Sequence, residues 1–452
     1  MVKSKAIRVH ELGGPEVLRW EEVEVGEPGE GEIRIRTTAV GVNFIDIYFR
    51  KGVYAAPTMP FTPGMEAVGV VTAVGPGLTG RKVGDVVAYA GNPMGSYAQE
   101  QILPAAVAVP VPPSVDHKQA ASVMLKGMTA HVLLRRVFKV EQIDDGASNL
   151  AQGERASSLV VKDFQVAPPS PGHGAYTGST VQLCIRQSRA VEGSDDNGDI
   201  RARIRNAAAS ARVREGNGNQ GWVIGTVEQT RDCSPSVNRG NVCKKQASKK
   251  PSDLEHEDGS YLFEVESGHT ILVHAAAGGV GSLLCQWANA LGATVIGTVS
   301  NQEKAAQAAQ DGCHHPIIYT SEDVVARVKD ITSGKGVNIV YDSVGKDTYK
   351  ASLECLASRG FLVSFGQSSG KPDPIPTSDL ASKSLFLTRP SLMHYTATRD
   401  ELLESAGEVF ANVANGVLHV RVNHTYPLSE AAQAHADLEG RKTSGSIVLI
   451  PG

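Results

Sequence analysis

The stretch ILVHAAAGGVGSLLCQWA, residues 271–288, decides the fold of this 452-residue chain. Its continuous apolar start predicts a buried strand, and its end has the apolar spacing of a helix. The glycine-rich turn between them matches the fingerprint of dinucleotide-binding sites, with alanine in place of the first glycine. Gly278 would let the backbone approach a pyrophosphate, and Gly281 would let the helix pack closely on the strand. A purely structural turn is the alternative, but we predict that Gly278, Gly279 and Val280 bind a dinucleotide at the helix N-terminus.

The segments around this turn indicate two domains of different style. From residue 269 onward, strand-like runs alternate with helix-like segments of about 10–15 residues, which predicts a doubly wound parallel sheet. Residues 1–125 instead contain short runs rich in Val, Ile and Thr with glycine roughly every 8–12 residues, which is typical of a small β-barrel. The tail carries a helix and a final strand, and we expect it to return to the first domain. The predicted fold class is therefore α/β, with a barrel domain and a Rossmann doubly wound domain.

The strand that follows the turn indicates which nicotinamide cofactor the site accepts. An NAD site usually has Asp or Glu at the end of this strand, about 20 residues after the turn, to bond the ribose 2′-hydroxyl. Here the strand ends in GTVSNQEK, residues 297–304, and no acid stands at its end. Ser300 and Lys304 could hold a 2′-phosphate by hydrogen bonding and charge, although Lys304 could also be a solvated helix residue. We therefore predict NADPH as the cofactor.

Composition and charge argue against several classes of protein. The chain is 41% hydrophobic and 20% charged with a formal net charge of −4, which argues against a general nucleic-acid surface. It contains no apolar run of roughly 18 residues or more, so we expect no membrane partner. The N-terminal MVKSKAIRVHELGG passes directly into a strand pattern without a targeting signal, so we expect a cytoplasmic protein.

Residues 140–264 fit neither domain. Only 23 of these 125 residues are Leu, Ile, Val or Phe, which is a smaller share than chains with a packed core usually have. Their charges come in blocks but sum to −2, so part of the compositional signature of disorder is missing. We expect this insert to be disordered. Two origins stay open: a retained intron, because codons at both junctions can encode splice sites, or a genuine insert that binds a partner.

Several motifs in the rest of the chain are shared, in order, with one known family. These motifs are GVNFIDIYFRKGVY, PGMEAVGVV, LKGMTAHVLLRR, HAAAGGVG, VYDSVGKDT, VSFGQSSG, TRPSL and GSIVLIP. With them the chain resembles the medium-chain dehydrogenase/reductases, and within these the quinone oxidoreductases related to zeta-crystallin. The resemblance implies a homodimer. It also implies a GroES-like catalytic domain (1–125, completed by 393–452), a Rossmann NADPH-binding domain (126–139 and 265–392) and an insert (140–264).

The same resemblance implies a set of binding residues, position by position. Asn43 would lie beside the nicotinamide, and Tyr48 and Tyr54 would line the acceptor pocket. Lys126 and Thr129 would bond phosphate or ribose. The other cofactor-binding residues that the resemblance implies are Tyr319, Ser343, Phe365, Gly366, Gln367 and Arg441. Ordinary alternatives stay open for these types of residue, such as a turn-forming asparagine, a surface tyrosine or a solvated lysine.

A zinc site is not expected. The zinc-binding relatives in the superfamily carry Cys where this chain has Asn43 and His where it has Met65. They also carry a structural lobe with four cysteines, whereas the first cysteine here is Cys184, so neither zinc site can form. Asp46 and Glu66 resemble structural acids of the family, and they are left out of the predicted site.

These residues together predict an enzyme whose acceptor is electrophilic by itself, because no metal is expected to polarise it. We predict a zinc-independent oxidoreductase that transfers reducing equivalents from NADPH to a quinone, with no catalytic acid or base assigned. One alternative is reduction of the double bond of an activated enone or alkenal. Others are an NADPH-binding protein with a structural or RNA-binding role, and an inactive chain.

Overall fold

The computed structural model of the chain describes residues 2–137 and 265–452, which fall within one compact unit. The predicted insert, residues 140–264, lies outside the described residues. The prediction that it is disordered therefore stays a prediction, as does the choice between its two origins.

The first part of the chain forms an antiparallel barrel-like sheet around a hydrophobic core. Strand β3 is at its centre, because it pairs with β4, β6 and the final strand β15. Ile33 and Ile35 of β3 point inward and are fully buried. Arg36, the next residue of the same strand, points to the other face and is exposed, because side chains alternate between the two faces of a strand. The strands of this sheet from this part of the chain are β3 (Glu32–Val42), β4 (Glu66–Val74), β5 (Val86–Ala90), β6 (Glu100–Pro104) and β7 (Val109–Pro110). The first two strands, β1 (Val2–Val9) and β2 (Leu18–Val25), pair with each other in a separate two-stranded sheet.

The second sheet has six strands, all parallel, in the order β10-β9-β8-β11-β12-β13. This order reverses direction between β8 and β11, which is the switch point where doubly wound sheets bind ligands. The predicted Rossmann sheet is therefore confirmed. Its strands are β8 (Thr270–Val273), β9 (Thr294–Val299), β10 (His315–Ile318), β11 (Val337–Asp342), β12 (Leu356–Ser364) and β13 (Phe386–Thr388).

The helices cover the faces of the parallel sheet and join the two sheets. They are α1 (Phe44–Arg50), α2 (His117–His131), α3 (Gly279–Ala290), α4 (Gln302–Gln310), α5 (Val324–Ile331), α6 (Tyr349–Cys355), α7 (Thr377–Ala381), α8 (Leu392–Tyr395), α9 (Arg399–Ala414) and α10 (Ala431–Glu439). Among the residues that the structure describes, no helix is long and apolar enough to cross a membrane.

The C-terminal tail divides between the two parts. Strands β14 (Val422–Pro427) and β15 (Ser446–Ile450) extend the barrel sheet, and β15 runs antiparallel to β3. Helix α9 instead packs on α2, because its buried Leu402 and Val409 share one hydrophobic core with Met124 of α2. The tail therefore completes the barrel with its strands and contributes one helix to the joint between the two sheets.

The two described segments that end at residue 137 and begin at residue 265 lie next to each other. Helix α2 continues into a π-helical turn, Val132–Arg136, and the backbone N–H of Val265 donates to the carbonyl of Leu134 over 3.3 Å. Val265 is buried in the same core as Leu134. The first Rossmann strand, Thr270–Val273, begins a few residues later, at the edge of the sheet opposite the carboxyl ends of its strands.

Candidate functional site

A cavity of about 970 Å³ lies between the barrel and the carboxyl edge of the parallel sheet. Its size is within the range of small-molecule sites, roughly 300–1,000 Å³. Residues that follow β8, β9, β11 and β12 line it on one side, and α1 and α2 line it on the other. All predicted binding residues except Gln367 line this cavity, namely Asn43, Tyr48, Tyr54, Lys126, Thr129, Gly278, Gly279, Val280, Ser300, Lys304, Tyr319, Ser343, Phe365, Gly366 and Arg441.

The turn after β8 depends on glycine for two different contacts. A Cβ atom on Gly281 would lie 2.2 Å from the carbonyl oxygen of Ala275, a backbone atom that cannot rotate away. A Cβ atom on Gly279 would instead lie 2.8 Å from Cδ of Lys126, whose side chain crosses the turn. Ala275 itself adopts a φ of 54°, a left-handed conformation that is strained for a residue with a side chain. The turn is thus tightly packed, and the Gly278 N–H donates to the Ala275 carbonyl within it at 2.9 Å.

Two cationic side chains, Lys304 and Arg441, lie at the predicted binding site for the 2′-phosphate. Lys304 Nζ donates to the carbonyl of Arg441 over 2.8 Å, so the two residues are neighbours. Burial and the Arg441 cation lower the pKa of Lys304, partly opposed by Glu303. The Arg441 guanidinium lies 3.6 Å from Asp347, whereas within the described ranges no carboxylate forms an ion pair with Lys304. The arrangement has room for an anion beside the lysine.

Glu66, which the sequence analysis left aside as structural, organises the floor of the cavity. Its Oε2 accepts hydrogen bonds from Lys126 Nζ at 2.9 Å and from Asn43 Nδ2 at 2.8 Å. Its Oε1 accepts from the backbone N–H of Leu125 at 2.7 Å. The carboxylate is fully buried, and Gly41 must be glycine because a Cβ there would lie 2.1 Å from Glu66 Oε2. One acid therefore fixes two of the predicted cofactor-binding side chains.

Aromatic side chains form the wall opposite the glycine turn. Tyr48 and Tyr54 pack edge to face with ring centroids 5.3 Å apart. The hydroxyl oxygen of Tyr48 accepts a hydrogen bond from the backbone N–H of Gln367 at 3.0 Å, and burial raises the pKa of Tyr48 to about 12. Because its oxygen accepts from the backbone, the Tyr48 proton is free to donate to another group in the cavity.

Gln367 supports this wall instead of lining the cavity. Its backbone bonds Tyr48, and its side-chain Oε1 accepts from the guanidinium of Arg389 at 3.2 Å. Arg389 does line the cavity and also bonds the carbonyl of Gly366 at 3.4 Å. The sequence analysis used the motif TRPSL only for the resemblance and gave Arg389 no role, although a charged residue directly after a strand end was a usable signal.

His274 is a further cavity-lining residue that the sequence analysis did not select. Its two ring nitrogens lie 3.0 Å from Thr298 Oγ1 and 3.0 Å from Ser352 Oγ, and Ser352 donates to Asp342 at 2.8 Å. Burial lowers the pKa of His274, although Asp342 opposes the shift. The neutral ring therefore joins the ends of β8, β9 and β11 beneath the glycine turn.

The positions at which zinc-binding relatives carry Cys and His do not fit a zinc ion here. The Asn43 amide donates to Gly41 and to Glu66, and the thioether of the buried Met65 is a soft ligand that suits Cu(I) better than zinc. Within residues 2–137 and 265–452, no group of three or more His, Cys, Asp and Glu side chains could hold a metal ion.

Comparison with family models matches both parts of the chain. Residues 29–113 match the alcohol dehydrogenase GroES-like domain. Residues 279–407 match the family described as zinc-binding dehydrogenase. The two matches fall on the barrel and on the parallel sheet with its helices.

Comparison with known proteins finds relatives over nearly the whole chain. A 2-haloacrylate reductase from Burkholderia is 36% identical over 98% of this chain and 98% of its own length. A quinone oxidoreductase from Pseudomonas aeruginosa is 34% identical over 99% of this chain and 100% of its own. Among solved structures, Escherichia coli quinone oxidoreductase complexed with NADPH is 33% identical, with a TM-score of 0.70 over 99% of this chain and 100% of that chain.

Proposed function

The chain belongs to the quinone oxidoreductases of the medium-chain dehydrogenase/reductase superfamily, and from this membership we propose that it transfers reducing equivalents from NADPH to a quinone without zinc. The observation that carries the proposal is the cavity at the switch point of the sheet, with a glycine turn at one side and an aromatic wall at the other. The protein supplies proximity and orientation for two reactants bound together.

The residues present fit NADPH at this site. The turn at Gly278 and the N-terminus of α3 would hold the pyrophosphate, and Ser300 and Lys304 the 2′-phosphate, with Arg441 beside them. Asn43 would face the nicotinamide half. When bound, NADPH supplies the reducing equivalents from its nicotinamide ring. No acidic side chain at the end of β9 competes with the 2′-phosphate, which supports NADPH over NADH.

Tyr48 is the side chain best placed to serve the acceptor. A quinone oxygen gains negative charge as the quinone is reduced, and a hydrogen-bond donor at that oxygen stabilises the product. The Tyr48 hydroxyl lines the cavity, is held by Gln367 and has a proton to donate. With a pKa of about 12, this hydroxyl keeps its proton throughout the neutral range.

The Tyr48→Phe variant should lower kcat for quinone reduction by about 100-fold with little change in the KM for NADPH, because it removes the proposed donor to the quinone. The Gln367 N–H also loses its acceptor, which should lower the free energy of unfolding by about 1–3 kcal/mol. Tyr54→Phe, which keeps the ring that packs on Tyr48, is the matched control and should stay close to the wild type. Steady-state kinetics between pH 6 and 9 provides the readout, and the wild type should lose no activity from Tyr48 over this range. Equal kcat values for Tyr48→Phe and the wild type would exclude the donor role.

The experiment that tests the proposed function measures oxidation of NADPH by the full-length chain with an ortho-quinone as acceptor. We expect turnover with NADPH and a much slower rate with NADH, since the 2′-phosphate has a cationic partner in Lys304. Binding of NADPH without turnover of any quinone would contradict the proposal. Equal rates with both cofactors would contradict the assignment of the phosphate site.

Lys304→Ala is expected to raise the Kd for NADPH about tenfold, the loss of one charge-assisted contact to phosphate. The Kd for NADH should not change, because NADH has no phosphate at that position. Lys350→Ala removes an exposed lysine outside the cavity and is the control for net charge. If Lys304→Ala raised the Kd for NADH and the Kd for NADPH by the same factor, the lysine would act on the fold and not on the phosphate.

Reduction of an activated carbon–carbon double bond is the second candidate function. The relative named 2-haloacrylate reductase, at 36% identity over 98% of this chain, favours it. The Tyr48 hydroxyl could donate to such a substrate in the same cavity, because the oxygen of an enone or acrylate also gains negative charge on reduction. Incubation with NADPH and either an ortho-quinone or a 2-haloacrylate, followed by product analysis, distinguishes the two acceptors.

We also propose that two copies pair through β13, the edge strand of the parallel sheet, in a homodimer of the cytoplasm. Phe386 and Leu387 on this strand are 53% and 39% exposed, and Phe386 stacks on Phe361 with ring centroids 4.6 Å apart. An exposed apolar edge strand is a template for pairing with another chain. Light scattering should give the mass of two chains, and Phe386→Glu should give the mass of one. Cell fractionation tests the location.

A further inference from the structure

Four buried polar side chains inside the barrel link α1, which carries two of them, to α10, which carries one. Asp46, Arg50, Tyr97 and His435 are each fully buried. Arg50 Nη1 lies 3.0 Å from His435 Nδ1, His435 Nε2 lies 2.9 Å from the Tyr97 hydroxyl, and that hydroxyl lies 3.1 Å from Asp46 Oδ2. Tyr97 and His435 also pack edge to face, with ring centroids 5.6 Å apart.

The hydrogen atoms in this relay can run in one direction only. A guanidinium has no acceptor, so Arg50 must donate and His435 Nδ1 must accept. The proton of the neutral ring is then on Nε2, which donates to the Tyr97 oxygen. The Tyr97 hydroxyl is left to donate to Asp46. The three hydrogen bonds of the relay therefore form together only while the imidazole is neutral and stays in place, and burial beside Arg50 lowers the pKa of His435 to about 3.

Both ends of the relay, Asp46 and Arg50, are in α1, and each bonds a segment that leads to the cavity. Asp46 Oδ2 accepts the backbone N–H of Asn43 at 2.9 Å at the start of α1, the helix that also carries Tyr48. Arg50 pairs with Glu439, the last residue of α10. Two residues later stands Arg441, whose carbonyl accepts from Lys304 Nζ at 2.8 Å.

The segment after α10 is also tied to the glycine turn. The backbone N–H of Gly445 donates to the carbonyl of Ala277 at 2.8 Å, and Gly445 pairs with Gly278 as a parallel bridge. A displacement of α10 would therefore move the backbone that contacts the turn. None of the four relay residues lines the cavity, so any effect they have on ligands passes through other residues.

We propose that His435 is a positioning residue that holds the acceptor wall on α1 in register with the NADPH wall after α10. The inference rests on the proposed function, because it assigns NADPH to the wall that carries Lys304 and Arg441. His435 is the one member of the relay that belongs to α10, and it joins this helix to α1 from inside the barrel, beside the ion pairs that Glu439 forms with Arg50 and Lys51.

The test compares His435→Leu with His435→Gln in the full-length protein. Leucine fills the site without a polar atom, whereas glutamine keeps one acceptor for Arg50 and one donor for Tyr97. Direct titration measures the Kd for NADPH, steady-state kinetics with an ortho-quinone measures kcat and KM, and thermal unfolding measures stability. The matched control is His131→Leu, which removes another buried histidine whose hydrogen bond, to Ser405 at 2.9 Å, joins α2 to α9.

We expect His435→Leu to raise the Kd for NADPH about tenfold and to lower kcat about tenfold, since small displacements of binding groups have effects of this size. His435→Gln should recover most of both values. His131→Leu should lower the melting temperature without changing either. The proposal is overturned if His435→Leu melts earlier than the wild type but binds NADPH and turns over quinone as the wild type does.

Tyr97→Phe keeps the proposal testable if His435→Leu does not fold. This variant breaks the relay at its next bond, and it should change Kd and kcat in the same direction. An unchanged Kd and kcat in a folded Tyr97→Phe protein would also overturn the proposal. A wild type that binds NADPH but turns over no quinone would refute the proposed function and leave the Kd comparison intact.

Discussion

Gly281→Ala is expected to lower kcat/KM with NADPH by at least roughly 100-fold, because the glycine turn cannot keep its shape around a side chain there. The added Cβ would lie 2.2 Å from the Ala275 carbonyl oxygen and 2.9 Å from Cα of Ala276. Both contacts are with backbone, so either the turn or the first turn of α3 must move. We also expect a loss of about 2–3 kcal/mol in the free energy of unfolding, as overpacked cores show.

Alanine variants of two other glycines distinguish an effect on NADPH binding from an effect on stability. Gly278→Ala places its Cβ 3.1 Å from one atom, the Ala275 carbonyl oxygen, so it should fold with little loss of stability but bind NADPH more weakly. Gly407 is exposed on α9 with nothing within 4 Å, and alanine there should stabilise the protein by about 0.5–1 kcal/mol without affecting NADPH. Full NADPH affinity in Gly281→Ala would contradict the assignment of the turn.

Glu66→Gln is expected to reduce the free energy of unfolding by about 3–5 kcal/mol, because it leaves the buried Lys126 ammonium without a counter-charge. Glu66 is fully buried, and Lys126 is 5% exposed. The glutamine amide keeps only one acceptor oxygen, so its NH2 group would face either the Leu125 N–H or the Lys126 and Asn43 donors. The loss therefore reports the missing charge together with the missing hydrogen bonds. Denaturant unfolding of the two proteins, at a pH near neutral, measures this difference.

The double variant Glu66→Leu/Lys126→Met tests whether Lys126 also serves the cofactor. Replacing both charges with apolar side chains should recover part of the lost stability, because no unpaired charge remains, although the Asn43 amide and the Leu125 N–H lose their acceptor. If Lys126 bonds NADPH, the double variant should still bind the cofactor about tenfold more weakly than the wild type. Full recovery of both stability and NADPH affinity would reduce Lys126 to a partner of Glu66.

The sequence predicts best what is local in the chain. The glycine turn, the strand before it and the helix after it are neighbours in sequence, and periodicity with two essential glycines is enough to define them. The parallel sheet follows from the alternation of strands and helices. The predicted binding residues that follow strands of the parallel sheet line one cavity because the carboxyl ends of these strands meet at one edge. Those on α1 and α2 reach the same cavity from its other side.

The sequence predicts least where two distant segments meet. Glu66 bonds Lys126 across 60 positions, and an acid at the start of β4 gives no sign of which lysine it faces. Gln367 is expected from the resemblance to bind the cofactor, and the sequence gives no sign that its backbone N–H bonds Tyr48 and its side chain bonds Arg389. Such orientations depend on packing between elements, which single-chain patterns do not encode.

The hydrogen bond between Leu134 and Val265 also has a consequence for engineering this enzyme. Both flanks are anchored in the core at this point, and Leu134 and Val265 do not line the cavity, although Val132 and Leu133 just before them do. A folded reporter module whose two termini lie close together could be grafted between these flanks without stretching either one. We therefore expect this junction to accept an inserted domain while the reacting groups in the cavity stay undisturbed.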